Sequence, residues 1–185
     1  MQTIHPSVWI APGVQRYGRI TIGEGASLWP NAVLRAECHE IRIGRMTNVQ
    51  DFVMIHVAFD RPTVVGDFCS ITHHGTIHGC TIEDDCLIGI NATIMDGAVI
   101  GRGSIVAGGA FVKENSVFPP GSIIAGVPAT VIRERDNARA NRLNAWVYHR
   151  NADAYRRGDH RAWDGPAYEA WLAAKRAEVD ADRDR

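Results

Sequence analysis

The stretch from Ile82 to Ile124 reads IEDDCLIGINATIMDGAVIGRGSIVAGGAFVKENSVFPPGSII. Every sixth position in it, Ile82, Ile88, Ile94, Ile100, Val106, Val112, Phe118 and Ile124, is apolar, and the position four further on is small at Cys86, Ala92, Ala98, Ser104, Ala110, Ser116 and Ser122. With 45% of the chain hydrophobic, eight such hits in a row would arise by chance about 0.002 of the time, so the register is a repeat. A period of six fits neither a helix nor an ordinary alternating strand. It specifies a left-handed parallel β-helix, in which each hexapeptide forms one short flat strand, three make a triangular coil of about 18 residues, and the small residue lets the chain turn the corner.

The register can be followed backwards through three resets. Ile22, Leu28 and Leu34 begin it; one extra residue near Glu40 moves it to Ile43, Val49 and Ile55; a loop from Ala58 to Val64 moves it to Val65, Ile71 and Ile77; one residue is then missing before Ile82. Regular coils are expected from about residue 10 to residue 130, roughly six to seven of them, closed by Pro119-Pro120-Gly121 and Gly126-Val127-Pro128. The chain thus divides into a β-helix domain over residues 1–130 and a helical extension over 131–185. In the extension, Ala138, Leu143, Trp146, Val147, Ala154 and Tyr155 share one helix face, and Gly158 ends that helix. A second helix is expected from Pro166, with Asp164 as its cap, Tyr168, Trp171 and Leu172 as its apolar stripe, and an Asp/Arg-rich end that frays.

Composition sets limits on function. A chain of 185 residues can bury a full core, and a net charge of −1 argues against a nucleic-acid footprint. No apolar run approaches the ~18 residues of a membrane span, and Met1 to Val8 lacks a basic region followed by an apolar stretch, so a cytoplasmic, reducing location is expected. The four cysteines then need no disulfides. Cys38, Cys69 and Cys86 are read at small corner positions, where a thiol packs as a small hydrophobe; Cys80 has no CxxC partner.

Five of the eight histidines, His39, His56, His73, His74 and His78, fall between residues 39 and 78. By register His56 and His78 each follow an apolar position on the same face, one coil apart, so the rings project outward at the ~4.8 Å inter-strand spacing. Two neutral imidazoles held so close suit one metal ion, with bonds of about 2.0 to 2.1 Å. A lone outward histidine on such a scaffold is ordinarily a solvated group, and it is the stacking that singles out this pair. His73 lies on the preceding face, from which it would close a neighbouring chain's site in a three-fold assembly. His74 is a bystander, and His39, His5, His149 and His160 carry no comparable pattern. All-imidazole ligation with an open position favours Zn2+, and Fe2+ or Co2+ fits the same donors.

These residues carry a resemblance. Leu34-Arg35-Ala36-Glu37, Ile43 to Asp51, Ile55-His56-Val57, HHGTIHGC from His73 to Cys80, and Pro119-Pro120-Gly121 to Pro128-Ala129 resemble the gamma-class carbonic anhydrases and their carbonic-anhydrase-like relatives, over about residues 5 to 150. The resemblance implies a homotrimer with three interfacial sites, His56 and His78 ligating from one subunit and His73 from the next, and hydration of carbon dioxide to bicarbonate by metal-bound hydroxide. It implies that Gln50 hydrogen-bonds the metal-bound solvent, that Arg35 and Asp51 form an ion pair between subunits, and that Tyr148 approaches the site from the C-terminal helix. Asn48, Gln50 and Asp51 read equally as polar groups facing a neighbour, and Arg35 as a surface charge.

Two departures stand out. Glu37 replaces the aspartate two residues after the arginine, with Cys38 beside it where the best-characterised pattern has a carboxylate. The 58–64 loop lacks an acidic shuttle, Asp60 being its one acid. Two other functions stay open: an acyl-CoA thioesterase or acyltransferase of the hexapeptide class, and a non-catalytic metal-binding assembly module with a partner on Trp163 to Leu172.

Overall fold

A computed structural model describes residues 1–182. The chain winds into about seven coils of parallel β-helix. Three columns of apolar side chains run up its interior, one per face. Leu34, Ile55, Ile77, Ile94 and Val112 form the first. Ile22, Ile43, Val65, Ile82, Ile100 and Phe118 form the second. Ile10, Leu28, Val49, Ile71, Ile88, Val106 and Ile124 form the third. Most of these are fully buried, each worth about 1.5–3 kcal/mol of transfer free energy. This is the hexad of the sequence, and it holds the coils in register because a slip of one residue would turn every column outward.

Two faces merge into one 11-stranded sheet because strand Val33–Ile43 bends around a corner, pairing with Met54–His56 on one side and Thr63–Val65 on the other. The third face is an 8-stranded sheet. At the corners, side chains such as Phe52 and His74 adopt left-handed backbone with φ of 59° each. Their rings stack in parallel with centroids 5.0 Å apart, so His74 serves the corner.

The structure corrects several expectations. Pairing begins at Gln2, opposite Ile20, so the β-helix starts before residue 10. The reset before Ile43 is a bulge of three residues, not one: Gly18 pairs with Ala36 and Arg19 with Glu40, leaving Glu37, Cys38 and His39 unpaired. Cys38 is therefore exposed on the bulge, not packed at a corner, whereas Cys69, Cys80 and Cys86 are buried. The segment after residue 130 is not yet helical. Its β-branched Val131 and Ile132 lie in a strand, Ala129–Glu134, that folds back antiparallel on Ser122–Gly126.

Helix α1 (Ala138–Arg156) lies across the third face, packing over Trp9–Ile10, Ser27–Leu28, Asn48–Val49 and Ser70–Ile71. Its anchor is Arg142, whose guanidinium makes two 2.8 Å bonds to the fully buried Asp85 carboxylate. Buried Asn141 and Asn151 interrupt its apolar face, which a binary pattern misses. Gly158 follows it at φ 78°. Helix α2 (Pro166–Ala181) starts at Gly165 without a side-chain cap; Asp164 is instead paired with Arg161. The chain is helical as far as Ala181 with Asp182 as the C-cap, and residues 183–185 of the end expected to fray lie outside the described residues. Among the described residues, no helix is long and apolar enough to cross a membrane.

Candidate metal centre

His56 and His78 close the paired strands Met54–His56 and Thr76–His78. Because Ile55 and Ile77 point into the core, the alternation of a strand turns both imidazoles outward. The ring centroids lie 4.8 Å apart, and His56 Nδ1 is 2.9 Å from His78 Nε2.

The outer nitrogens fix the state of the inner ones. His56 Nε2 donates to Glu37 Oε2 at 3.0 Å, and His78 Nδ1 donates to Asp96 Oδ1. A neutral imidazole carries one N–H, so both inner nitrogens present lone pairs to one another. Lone pairs at that distance repel unless a proton or a cation lies between them. Carboxylates behind ligating histidines fix ring tautomer and raise basicity, so this donor set fits a divalent ion. Arg35, paired in the ladder directly with His56, forms an ion pair with Glu37 and steadies its carboxylate. Desolvation pushes the Glu37 carboxyl up, but its own backbone N–H, His56 and Arg35 outweigh this and hold it below the usual glutamate range.

His73 stands apart from this pair. It follows strand Ser70–Ile71, and its Nδ1 lies 3.0 Å from Asp51 Oδ2. Among the described residues, no three His, Cys, Asp or Glu side chains of the single chain converge as a metal site. One chain therefore offers two facing nitrogens and, apart from them, a third imidazole with a carboxylate beside it.

The remaining expected residues divide between these two places. Gln50 is buried, its Nε2 donating to Asn48 Oδ1 at 2.9 Å; Asn48 donates in turn to Ser70 Oγ, which also accepts from Asn144 of α1. Within the chain Arg35 is held by Glu37 and Asp51 by His73. Tyr148 lines the same cavity as Asp51 and His73, and burial with the nearby Asp51 charge pushes its phenol up to about 12, so it keeps its proton at neutral pH. Asp96 was not foreseen. Thr76 and Ile77 pair with Thr93 and Ile94, so counting one coil up from His78 reaches Met95, and Asp96 is the next residue along.

Comparison with known proteins follows the same lines. The family described as "Bacterial transferase hexapeptide (six repeats)" matches residues 79–114. A protein of Methanocaldococcus jannaschii named "Probable carbonic anhydrase" is 54% identical over 131 residues, which are 71% of this chain and 82% of that protein. The chain belongs to the gamma-class carbonic anhydrase family. Another relative, the mitochondrial gamma carbonic anhydrase 2 of Arabidopsis thaliana, is 33% identical over 71% of this chain, although the match spans only 49% of that longer protein. Among solved structures, a hexapeptide transferase family protein from Anaplasma phagocytophilum superposes with a TM-score of 0.79 at 29% identity, covering 83% of this chain and 92% of that one. Carbonic anhydrase and transferase names thus share one scaffold, and the coil alone does not choose between them.

Proposed function

We propose that the protein is a metal-dependent carbonic anhydrase that hydrates carbon dioxide reversibly, working as a homotrimer with His56 and His78 of one subunit and His73 of the next as ligands. The observation that carries this reading is the facing pair His56 Nδ1 and His78 Nε2, each backed by a carboxylate on its far nitrogen. Zn2+ is the ion this donor set favours, and Fe2+ or Co2+ fits it too.

A divalent ion bound there supplies Lewis acidity, which makes water acidic near neutral pH. The chain's own residues do the rest. Glu37 and Asp96 lock the rings, Arg35 locks Glu37, and Asp51 stands beside the ring that serves the neighbouring subunit. Gln50 has one amide N–H committed to Asn48, which fixes its side chain, and its carbonyl oxygen and second N–H are the groups that would orient water. The proton released must leave. Asp60 is poorly suited to carry it, since hydrogen bonding to Arg61 holds its carboxyl below the usual aspartate range. Small-molecule bases are left as the proton's destination.

Stopped-flow hydration of carbon dioxide, on protein loaded in parallel with zinc and ferrous iron and assayed for metal content, tests this reading. Activity proportional to metal occupancy supports it. A fully metallated protein without hydration above background overturns it and makes acyl-CoA thioesters the next substrates to assay.

A further inference from the structure

After His78 the chain turns its corner through Gly79 and Cys80 and re-enters the ladder at Thr81, but after His56 residues 57–62 leave the coil before the next strand starts at Thr63. Thr63 is fully buried. Its hydroxyl donates to the backbone oxygen of His56 and accepts the Gly79 N–H at 2.9 Å. One side chain, returned by the loop, thus joins the last residue of the His56 strand to the residue that follows His78.

The ladder is weak where this bridge stands. Gly79 N–H also reaches His56 O directly, but at 3.3 Å, against 2.8 Å for the next rung of this corner, Gly97 N–H to Gly79 O. A rung that long holds its strands loosely. Room is tight at Gly79, φ 53°, where a Cβ would lie 2.5 Å from Asp96 Oδ1 and 2.7 Å from Ala58 Cβ. Loop, ligand strand and the carboxylate behind His78 therefore meet at one point. Thr47, also fully buried, makes an equivalent bridge at the corner between the second and third faces, donating to Gly66 O at 2.7 Å and accepting the Cys69 N–H at 2.9 Å. A buried threonine that spans two coils is thus a device of this fold, and at Thr63 it is placed beside the imidazole pair.

We propose that Thr63 is a positioning residue for the metal centre, its hydroxyl clamping the ends of the two histidine strands so that His56 Nδ1 and His78 Nε2 stay face to face. It acts through the backbone that carries the rings, and the 57–62 loop serves to return that hydroxyl to the corner. The inference rests on the metal site proposed above.

The test measures Zn2+ affinity of the full-length protein by chelator competition and stability by urea denaturation. Thr63→Val removes the hydroxyl, and affinity should fall about tenfold; Thr63→Ser should restore it. Thr47→Val loses the same pair of bonds away from the histidines, so stability should fall to a similar extent while affinity stays as it was. Thr63→Ala takes the place of Thr63→Val if the latter does not fold. A fall in affinity that serine restores and Thr47→Val does not share supports the role. Unchanged affinity, no recovery with serine, or an equal loss in Thr47→Val overturns it. If the unmodified protein binds no Zn2+, the metal reading fails, and the tautomers of the His56 and His78 rings in metal-free protein, read by 15N NMR, decide the role of Thr63. A change in Thr63→Val that Thr47→Val lacks supports the clamp, and any other result overturns it.

Discussion

Glu37 Oε2 accepts from His56 Nε2 at 3.0 Å, and it reaches that position from an unpaired bulge at the corner of the β-helix. The bulge therefore has a chemical role. It brings a carboxylate behind an imidazole that the regular coil would leave facing solvent. Glu37→Gln keeps the length but removes the charge, and metal affinity measured by chelator competition should fall about 10- to 100-fold, with the circular dichroism spectrum unchanged.

Asp96 plays the same part for His78. Asp96→Asn can still touch the ring but accepts less well, and it permits the wrong tautomer. The same 10- to 100-fold loss of metal affinity is expected. Because both carboxylates act on one bound ion, the double variant should lose less than the sum of the two free-energy changes. A double variant that binds no worse than the weaker single variant, with the other single variant unchanged, would mean that the two histidines do not share a ligand.

Division of the site between subunits can be tested by mixing. His73→Ala and His78→Ala should each be inactive as a pure assembly. When the two are refolded together in equal amounts, about one interface in four combines an intact His56/His78 pair with an intact His73. Recovery of roughly that fraction of metal and activity is expected; none would place all ligands within one chain.

Asp85 is fully buried between Arg142 of α1 and Arg102 of the β-helix. Asp85→Ala strands an arginine that is itself nearly buried, and urea denaturation should register a loss of about 3–5 kcal/mol. Helix α1 should also become susceptible to proteolysis before the coils do. Unchanged stability would show that aromatic packing alone holds the helix.

The thiols give a pH dependence with a definite sign. Burial and the neighbouring Cys86 push the Cys69 thiol well above its ordinary value of 9.0, and burial pushes Cys80 up to about 12. A thiol whose folded pKa is raised holds its proton in the native state after the unfolded chain has lost it. Its contribution is complete below pH 9 and is lost as pH rises above it, at up to about 1.4 kcal/mol per pH unit for each such thiol. Urea midpoints between pH 8 and 10.5 would read this slope. In the native protein at pH 8, Cys38 alone should react with a thiol reagent.

How far the sequence reads through to this structure depends on what each feature costs the chain. The three interior columns were legible because every coil must repeat the same inward position, and the same count placed His56 over His78. The Glu37–His39 bulge was misjudged as a single residue, since Ile41 and Ile43 are both buried and either could have resumed the register. Asp96 was overlooked because Met95-Asp96-Gly97 reads locally as a turn, and its meaning lies one coil away. Asn151 looked like any polar residue on a helix; only the packing around it reveals that its oxygen has no partner.

Parallel coils have no built-in last member, since each exposes a strand edge on which another could form. Here Ala129–Glu134 turns back at Val127-Pro128 and runs against the direction of every strand below it. A second molecule meeting that end finds an edge of opposite polarity, crossed by Arg133 and Glu134. On the third face, the length of the stack is in effect written into one reversal of the chain, which leaves a parallel newcomer no matching edge there.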